Sequence, residues 1–287
     1  MMKRPWPLGL AILTAALAVS CGRPAPETPP GGLRMLVTND DGIEAPGLAA
    51  LAEALLPLGT VTVAAPQENR SGVSHGVTSD RPIGVRESQR GGVTWYSIDA
   101  LPATCARLAL ETLLPEKPDF VLSGINRGEN LGAVTFYSAT VAGAREAAFL
   151  GIPAMAVHLA AGPGMNYGEA AAVAAEIVRA VGTRGLPKGT FLNVNVPALP
   201  RSEMKGARLT RQDRRAPLES FDKVVSPDGL TLFKPFWKHL RPEGRDTDIW
   251  ALRNGYVSIS VFGVDQSAAA GRAAERALRR LESLSFR

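Results

Sequence analysis

The sequence predicts an α/β protein, a mostly parallel sheet with helices on both faces and a smaller β-rich C-terminal extension. Short β-branched and apolar runs alternate with helix-like segments from 33 to about 200. Polar, glycine-containing loops follow the runs that end at Thr38, Ala65 and Ser123, where parallel strands present their carboxyl ends to ligands. Past Pro197 the pattern changes to β-like pieces separated by proline, glycine and charge.

The first segment, 1–20, has the layout of an export signal: Lys3 and Arg4, an apolar stretch from Leu8 to Val19, then small residues before Cys21. It is too short to cross a bilayer comfortably and is left out of the fold. Leu17-Ala-Val-Ser-Cys21 resembles a bacterial lipoprotein signal, with Ala18 where leucine is usual. Lipidation of Cys21 and a periplasmic, membrane-anchored location are therefore expected; the other reading is an ordinary signal with an incidental cysteine. Residues 21–32, rich in Pro and Gly, suit an extended tether. The α/β unit is expected over 33–200 and the extension over 201–287.

Within the α/β unit, strands are expected at Met35–Thr38, Thr60–Ala65, Val93–Ile98, Phe120–Ser123, Ala154–Val157 and Phe191–Val196. Helices are expected at Leu48–Leu56, Ala103–Leu114, Ala139–Leu150 and Tyr167–Val181. The extension carries β-like runs at Leu209–Asp213, Leu230–Phe236 and Tyr256–Val261, expected to form an antiparallel subdomain, then an arginine-rich helix over Ala268–Leu284.

The chain of 287 residues is 45% hydrophobic and 21% charged, enough for one substantial core. With Cys21 lipidated only Cys105 remains, so an internal disulfide is excluded. Net charge is +5, but the basic residues are scattered apart from Arg211, Arg214 and Arg215, and aromatics are 6%. That distribution suits an anionic small molecule and argues against duplex nucleic acid.

The candidate chemistry centres on Met35-Leu-Val-Thr-Asn-Asp-Asp-Gly-Ile43, an apolar run ending at adjacent carboxylates. Asp40 and Asp41 at a strand end need a counter-charge if buried, and a hard divalent cation satisfies both. Asn39-Asp-Asp-Gly42 is also ordinary turn composition, and alone it does not separate the two readings. Loops 66–76 and 124–132 can converge on the same crevice.

Four ordered motifs then carry a family resemblance: Asn39-Asp-Asp-Gly-Ile43 with Ala45-Pro-Gly47; Asn69-Arg-Ser-Gly72; Ser123-Gly-Ile-Asn126 with Gly128 and Asn130-Leu-Gly132; and Tyr137-Ser138 with Thr140-Val141. Together they resemble the SurE family of metal-dependent nucleotidases, and Asp246-Thr-Asp248 with Gly255-Tyr-Val-Ser258 is similar to its later region. The resemblance implies a Rossmann-like domain, a homodimer or homotetramer with an exchanged C-terminal extension, and dephosphorylation of nucleoside 5′- and 3′-monophosphates with Mg²⁺ or Mn²⁺. It places the metal ligands on Asp40, Asp41, Ser71 and Asn126, with Asn39 orienting the loop. Phosphate is expected beside Ser138, Ala139 and Thr140, where a helix start offers free N–H groups, and Asn130 is expected to reach it or to hold the loop. For Ser71, Asn126, Ser138 and Thr140 taken singly, a turn or cap role is the competing reading.

The mechanism so implied is in-line attack by a metal-activated water, with Asp40 or Asp41 as base and His75 as proton donor to the leaving alkoxide. A loop histidine with only structural bonds is the alternative for His75. Departures from the family pattern fall at Leu101 and Thr104, at Ala133 and Val134, and at Ala139, where glycine is usual. They keep open a lipid-anchored nucleotide-binding protein without turnover, and a phosphatase of other phosphorylated small molecules. An aspartyl-phosphate mechanism needs acids two positions apart, whereas Asp40 and Asp41 are adjacent.

Overall fold

The computed structural model describes residues 32–215, 219–237 and 241–266. The signal, Cys21 and most of the tether lie outside the described residues, as does the helix expected at 268–284.

The first strand, β1 (Leu33–Thr38), is followed by α1 (Pro46–Leu55) and β2 (Gly59–Pro66). Next come β3 (Val85–Arg90), β4 (Val93–Ile98), α2 (Pro102–Leu108) and β5 (Phe120–Arg127). The α/β alternation continues through α3 (Ala139–Phe149), β6 (Ala154–Leu159), α4 (Tyr167–Val181) and β7 (Thr190–Val196). The extension contributes β8 (Ala207–Thr210), β9 (Glu219–Val225), β10 (Thr231–Trp237), α5 (Asp248–Arg253) and β11 (Val257–Gly263). Among the described residues one sheet runs in the order β3-β4-β2-β1-β5-β6-β7-β11-β8. Strands β4 to β7 in that order are parallel, so the order reverses between β1 and β5, and a ligand crevice is expected at their carboxyl ends.

The central strands form because their residues are apolar on both faces: β6 is buried along its whole length, and β5 is buried up to Asn126. Helices α1 and α4 pack together over one face, with Leu48, Leu51 and Leu55 against Val37, Leu122 and Val157. Helices α2 and α3 cover the other face over Leu36, Val121 and Phe191. Asn166 caps α4, accepting a hydrogen bond from Glu169 N at 3.2 Å.

The extension departs from expectation. Strands β8 and β11 build no sheet of their own but widen the main one, β11 lying antiparallel to β7 and parallel to β8. Val257 is buried in the α1/α4 core and Ile259 packs against it; alternation in sequence reports a buried face but not which strand supplies the neighbour. The separate antiparallel pair is β9 with β10. Strand β3 escaped sequence reading because Val-Arg-Glu-Ser-Gln-Arg is exposed throughout and carries no apolar alternation. Helix α5 is too short to show a helical period.

Helix α3 crosses the β1/β5 seam closely. A Cβ on Gly143 would lie 2.7 Å from Ser123 Oγ and 3.1 Å from Thr38 Cγ2. Gly143→Val is therefore expected to lift α3 from the sheet and cost about 1–3 kcal/mol of stability, read as a lower urea midpoint. An unchanged midpoint would contradict this packing.

Candidate active site

The end of β1 turns sharply at the switch point. Asn39 Nδ2 donates to Gly42 O at 2.9 Å, and Ile43 N returns to Pro66 O at 2.8 Å. Asp40 is buried, at 2% exposure, and its Oδ1 accepts from Thr140 Oγ1 at 2.5 Å. Asp41 Oδ2 accepts a long bond, 3.4 Å, from Arg127 N. Burial pushes the Asp40 carboxyl up to about 6, against the Thr140 hydrogen bond that favours its charged form. Burial also raises Asp41, against the N–H and charge of Arg127.

The other loops meet this turn. Arg70 N donates to Asp40 O at 2.7 Å, joining the loop after β2 to the one after β1. In that loop Asn69 Oδ1 accepts from Ser71 N at 2.9 Å, and Ser71 is exposed. Within β5, the ladder to β6 shifts register between Ser123 and Asn126, a bulge of the kind that re-aims a side chain. Gly124 suits it, with φ of +147° and space for a Cβ closed by Val157 O at 2.4 Å. Asn126 Nδ2 donates to Gly128 O at 2.8 Å, a bond that uses the nitrogen of its amide and not the oxygen.

The residues fit a hard divalent cation. Two adjacent, desolvated carboxylates have no ion-pair partner among the described residues, and Asn39 Oδ1 is buried without a hydrogen bond. Among the described residues no cluster of three His, Cys, Asp or Glu exists. Two carboxylates supplemented by neutral side-chain oxygens, of the kind that Ser71 and Asn126 carry, would suit an oxygen-seeking ion that keeps water and substrate in its sphere.

At the start of α3, Ser138 is the N-cap, and its Oγ accepts from Val141 N at 3.1 Å. The Thr140 hydroxyl is already donated to Asp40, so that side chain ties the helix start to the acidic turn. Ala139 is buried within the helix, and Ser74, at φ +57°, is the sole non-glycine residue with positive φ among those described. The glycine usual at position 139 is therefore not required by backbone conformation here.

Asn130 takes part in a buried network. Its Nδ2 donates to His158 Nδ1 at 2.8 Å, its N donates to Asn195 Oδ1 at 2.8 Å, and its O accepts from Asn193 Nδ2 and Asn195 Nδ2. Its side-chain amide therefore holds the loop. Thr104 also serves packing, its Oγ1 accepting from Thr78 N at 2.8 Å, while Leu101 N donates to Thr78 Oγ1 at 3.0 Å.

His75 is not joined to the carboxylate pair. Its Nε2 meets Glu146 Oε1 at 2.5 Å and its Nδ1 meets Arg145 Nη1 at 3.3 Å. Sequence reasoning missed a pocket of about 370 Å³ beside Asp41, with Asn69, Arg127 and Tyr167 in its wall. Arg127 adjoins a quoted motif; Tyr167 opens α4 and carries no local signal.

This is a doubly wound α/β protein with a cluster of carboxylate, amide and hydroxyl groups at its switch point. The family model described as "Survival protein SurE" matches residues 35–219. The chain is 45% identical over 239 residues to 5′-nucleotidase SurE of Geobacter sulfurreducens, covering 81% of this chain and 88% of that protein. It is 41% identical over 237 residues to 5′-nucleotidase SurE of Laribacter hongkongensis, covering 81% and 94%. The crystal structure of SurE protein from Aquifex aeolicus superposes with a TM-score of 0.76 at 38% identity, covering 87% of this chain and 99% of that one. The chain belongs to the SurE family.

Proposed function

We propose that this chain is a metal-dependent phosphomonoesterase that releases phosphate from nucleoside 5′- and 3′-monophosphates, with Mg²⁺ or Mn²⁺ as its cation. The observation that carries the reading is the adjacent Asp40–Asp41 pair, its carboxyls raised by burial and without a salt-bridge partner among the described residues, facing the start of α3 through Thr140. The names of the relatives point to the same activity.

A cation held by Asp40, Asp41, Ser71 and Asn126 would neutralise phosphate charge and acidify water. Thr140 fixes the Asp40 carboxylate, and Asn39 fixes the turn that presents both acids. Asp41, less buried and weakly bonded, is the carboxylate placed to take a proton from the attacking water. The α3 start and the Ser138 segment offer positive helix-end potential to the transferring phosphoryl group. Arg127 and Tyr167 line the pocket beside Asp41, where the rest of the substrate has room.

Two further properties complete the proposal. Residues 1–20 direct export and Cys21 carries a lipid, giving a periplasmic enzyme on a tether; no helix among the described residues is long and apolar enough to cross a membrane. The chain assembles as a homodimer or homotetramer. Globomycin-sensitive processing and acyl labelling at Cys21 test the anchor, and light scattering tests the assembly.

The activity is tested by phosphate release from nucleoside 5′- and 3′-monophosphates with Mg²⁺, Mn²⁺ or chelator. Metal-dependent release is expected. Stoichiometric nucleotide binding without release would favour the binding-protein reading.

A further inference from the structure

Ser71 sits on an exposed loop, yet a metal ligand must be held in place. In the loop 69–76, a Cβ on Gly72 would meet nothing within 4 Å, so packing does not hold the chain immediately after Ser71. The loop is instead tied on either side of Ser71 and Gly72. Arg70 N bonds Asp40 O at 2.7 Å, and Ser74 N bonds Tyr137 O at 3.1 Å. Ser74 Oγ donates to Phe136 O at 2.5 Å, and Ser74 holds its positive φ there, a conformation that persists only where neighbours over-determine it.

The next residue makes the strongest tie. Glu146, in α3, is 5% exposed, and one oxygen meets His75 Nε2 at 2.5 Å while the other accepts from Arg107 Nε at 2.6 Å. Burial alone would raise Glu146, but the bonds from His75 and Arg107 bring it below the usual carboxylate range. The Nε2–H tautomer of a neutral His75 satisfies both of its contacts, donating to Glu146 and accepting from Arg145. His75 also packs on Phe149, ring centroids 6.0 Å apart. Glu146 lies six residues past Thr140, about 9 Å along the helix, so the helix that holds Asp40 at its start holds the Ser71 loop two turns on.

We propose that Glu146 and His75 form a strap that positions the Ser71 loop for the cation, His75 being a positioning residue and not the proton donor to the leaving group. This rests on the metal-site reading above. The charge of Glu146 is what gives the strap its grip: a buried carboxylate bonded on both oxygens cannot release His75 without leaving an unpaired acceptor in the core.

The test uses the folded chain with His75→Ala, His75→Gln and Glu146→Gln, reading amide exchange across 69–76 and Mn²⁺ affinity by direct titration. His75→Ala is expected to speed exchange in 69–76 and weaken Mn²⁺ binding about tenfold, the effect typical of losing a group that orients a ligand. His75→Gln, whose Nε2 can still donate to Glu146, is expected to recover most of both, and Glu146→Gln to weaken binding less than His75→Ala. Wild-type exchange and Mn²⁺ affinity in His75→Ala would overturn the strap. A fall in kcat at saturating Mn²⁺ with unchanged affinity would overturn it too and return His75 to proton transfer. A wild-type chain that binds no Mn²⁺ would overturn the site reading itself, an outcome distinct from equal binding by wild type and variant.

Discussion

Asp40→Asn is expected to lower metal-dependent phosphate release by about a thousandfold, the scale on which a preorganised electrostatic group at a reacting centre acts. The change keeps an oxygen at Oδ1 to accept from Thr140, so the loop and the α3 start stay joined while one of two negative charges is lost. The remaining ligands are one carboxylate and two neutral oxygens, a much weaker set for a hard cation. Stability should move with this. Metal at a hundred times its Kd stabilises a protein that binds it only when folded by about 2.7 kcal/mol, so Mn²⁺ should raise the wild-type Tm and leave that of Asp40→Asn nearly unchanged. In chelator, the variant should be at least as stable as the wild type, because it removes a buried charge without a counter-ion. Phosphate release within a few fold of wild type would remove Asp40 from the site.

Acid lability centred on His158 is the second large effect. The imidazole is wholly buried; Nδ1 accepts from Asn130 Nδ2 and Nε2 meets Asn193 Oδ1 at 2.9 Å. That pattern requires the neutral ring with its proton on Nε2. Burial lowers its pKa from 6.5 to about 4, outweighing the Asn193 hydrogen bond. Below 6.5 the unfolded chain takes up a proton that the folded chain refuses until about 4. The stability contribution is therefore whole above 6.5 and is lost as pH falls through that window, by about 3 kcal/mol in all. Urea unfolding of wild type and His158→Gln at a series of pH values checks this: the variant should be less stable at neutral pH, and the gap should close toward pH 4. Parallel pH curves for the two would show that His158 does not set the acid limit. Because Asn130 shares this network, its loss also loosens the loop that carries Asn126 and Gly128.

Much of this was legible in the chain. Alternating apolar and helical periods are local properties, and β4 and α4 run over the residues that the pattern predicts. The extension was less legible, because β11 pairs with β7 and β8 with β11, long-range pairings that alternation does not encode. At the site, sequence order carried the candidate residues, and the structure decided their partners. Thr140, expected at the phosphate, bonds Asp40; Asn130, expected to reach the phosphate or to hold the loop, bonds His158. A hydroxyl or amide at a loop position has the same composition whether it faces a ligand or the core.

The sequence by itself determined the α/β class, the acidic turn at the end of the first strand and the four motifs of the SurE family, because each is written in residues close together in the chain. Only the tertiary structure decided that burial raises both Asp40 and Asp41, and that His75 bonds Glu146. Both depend on burial and on contacts between distant segments, and the electrostatics of a carboxylate or an imidazole follow from what surrounds it.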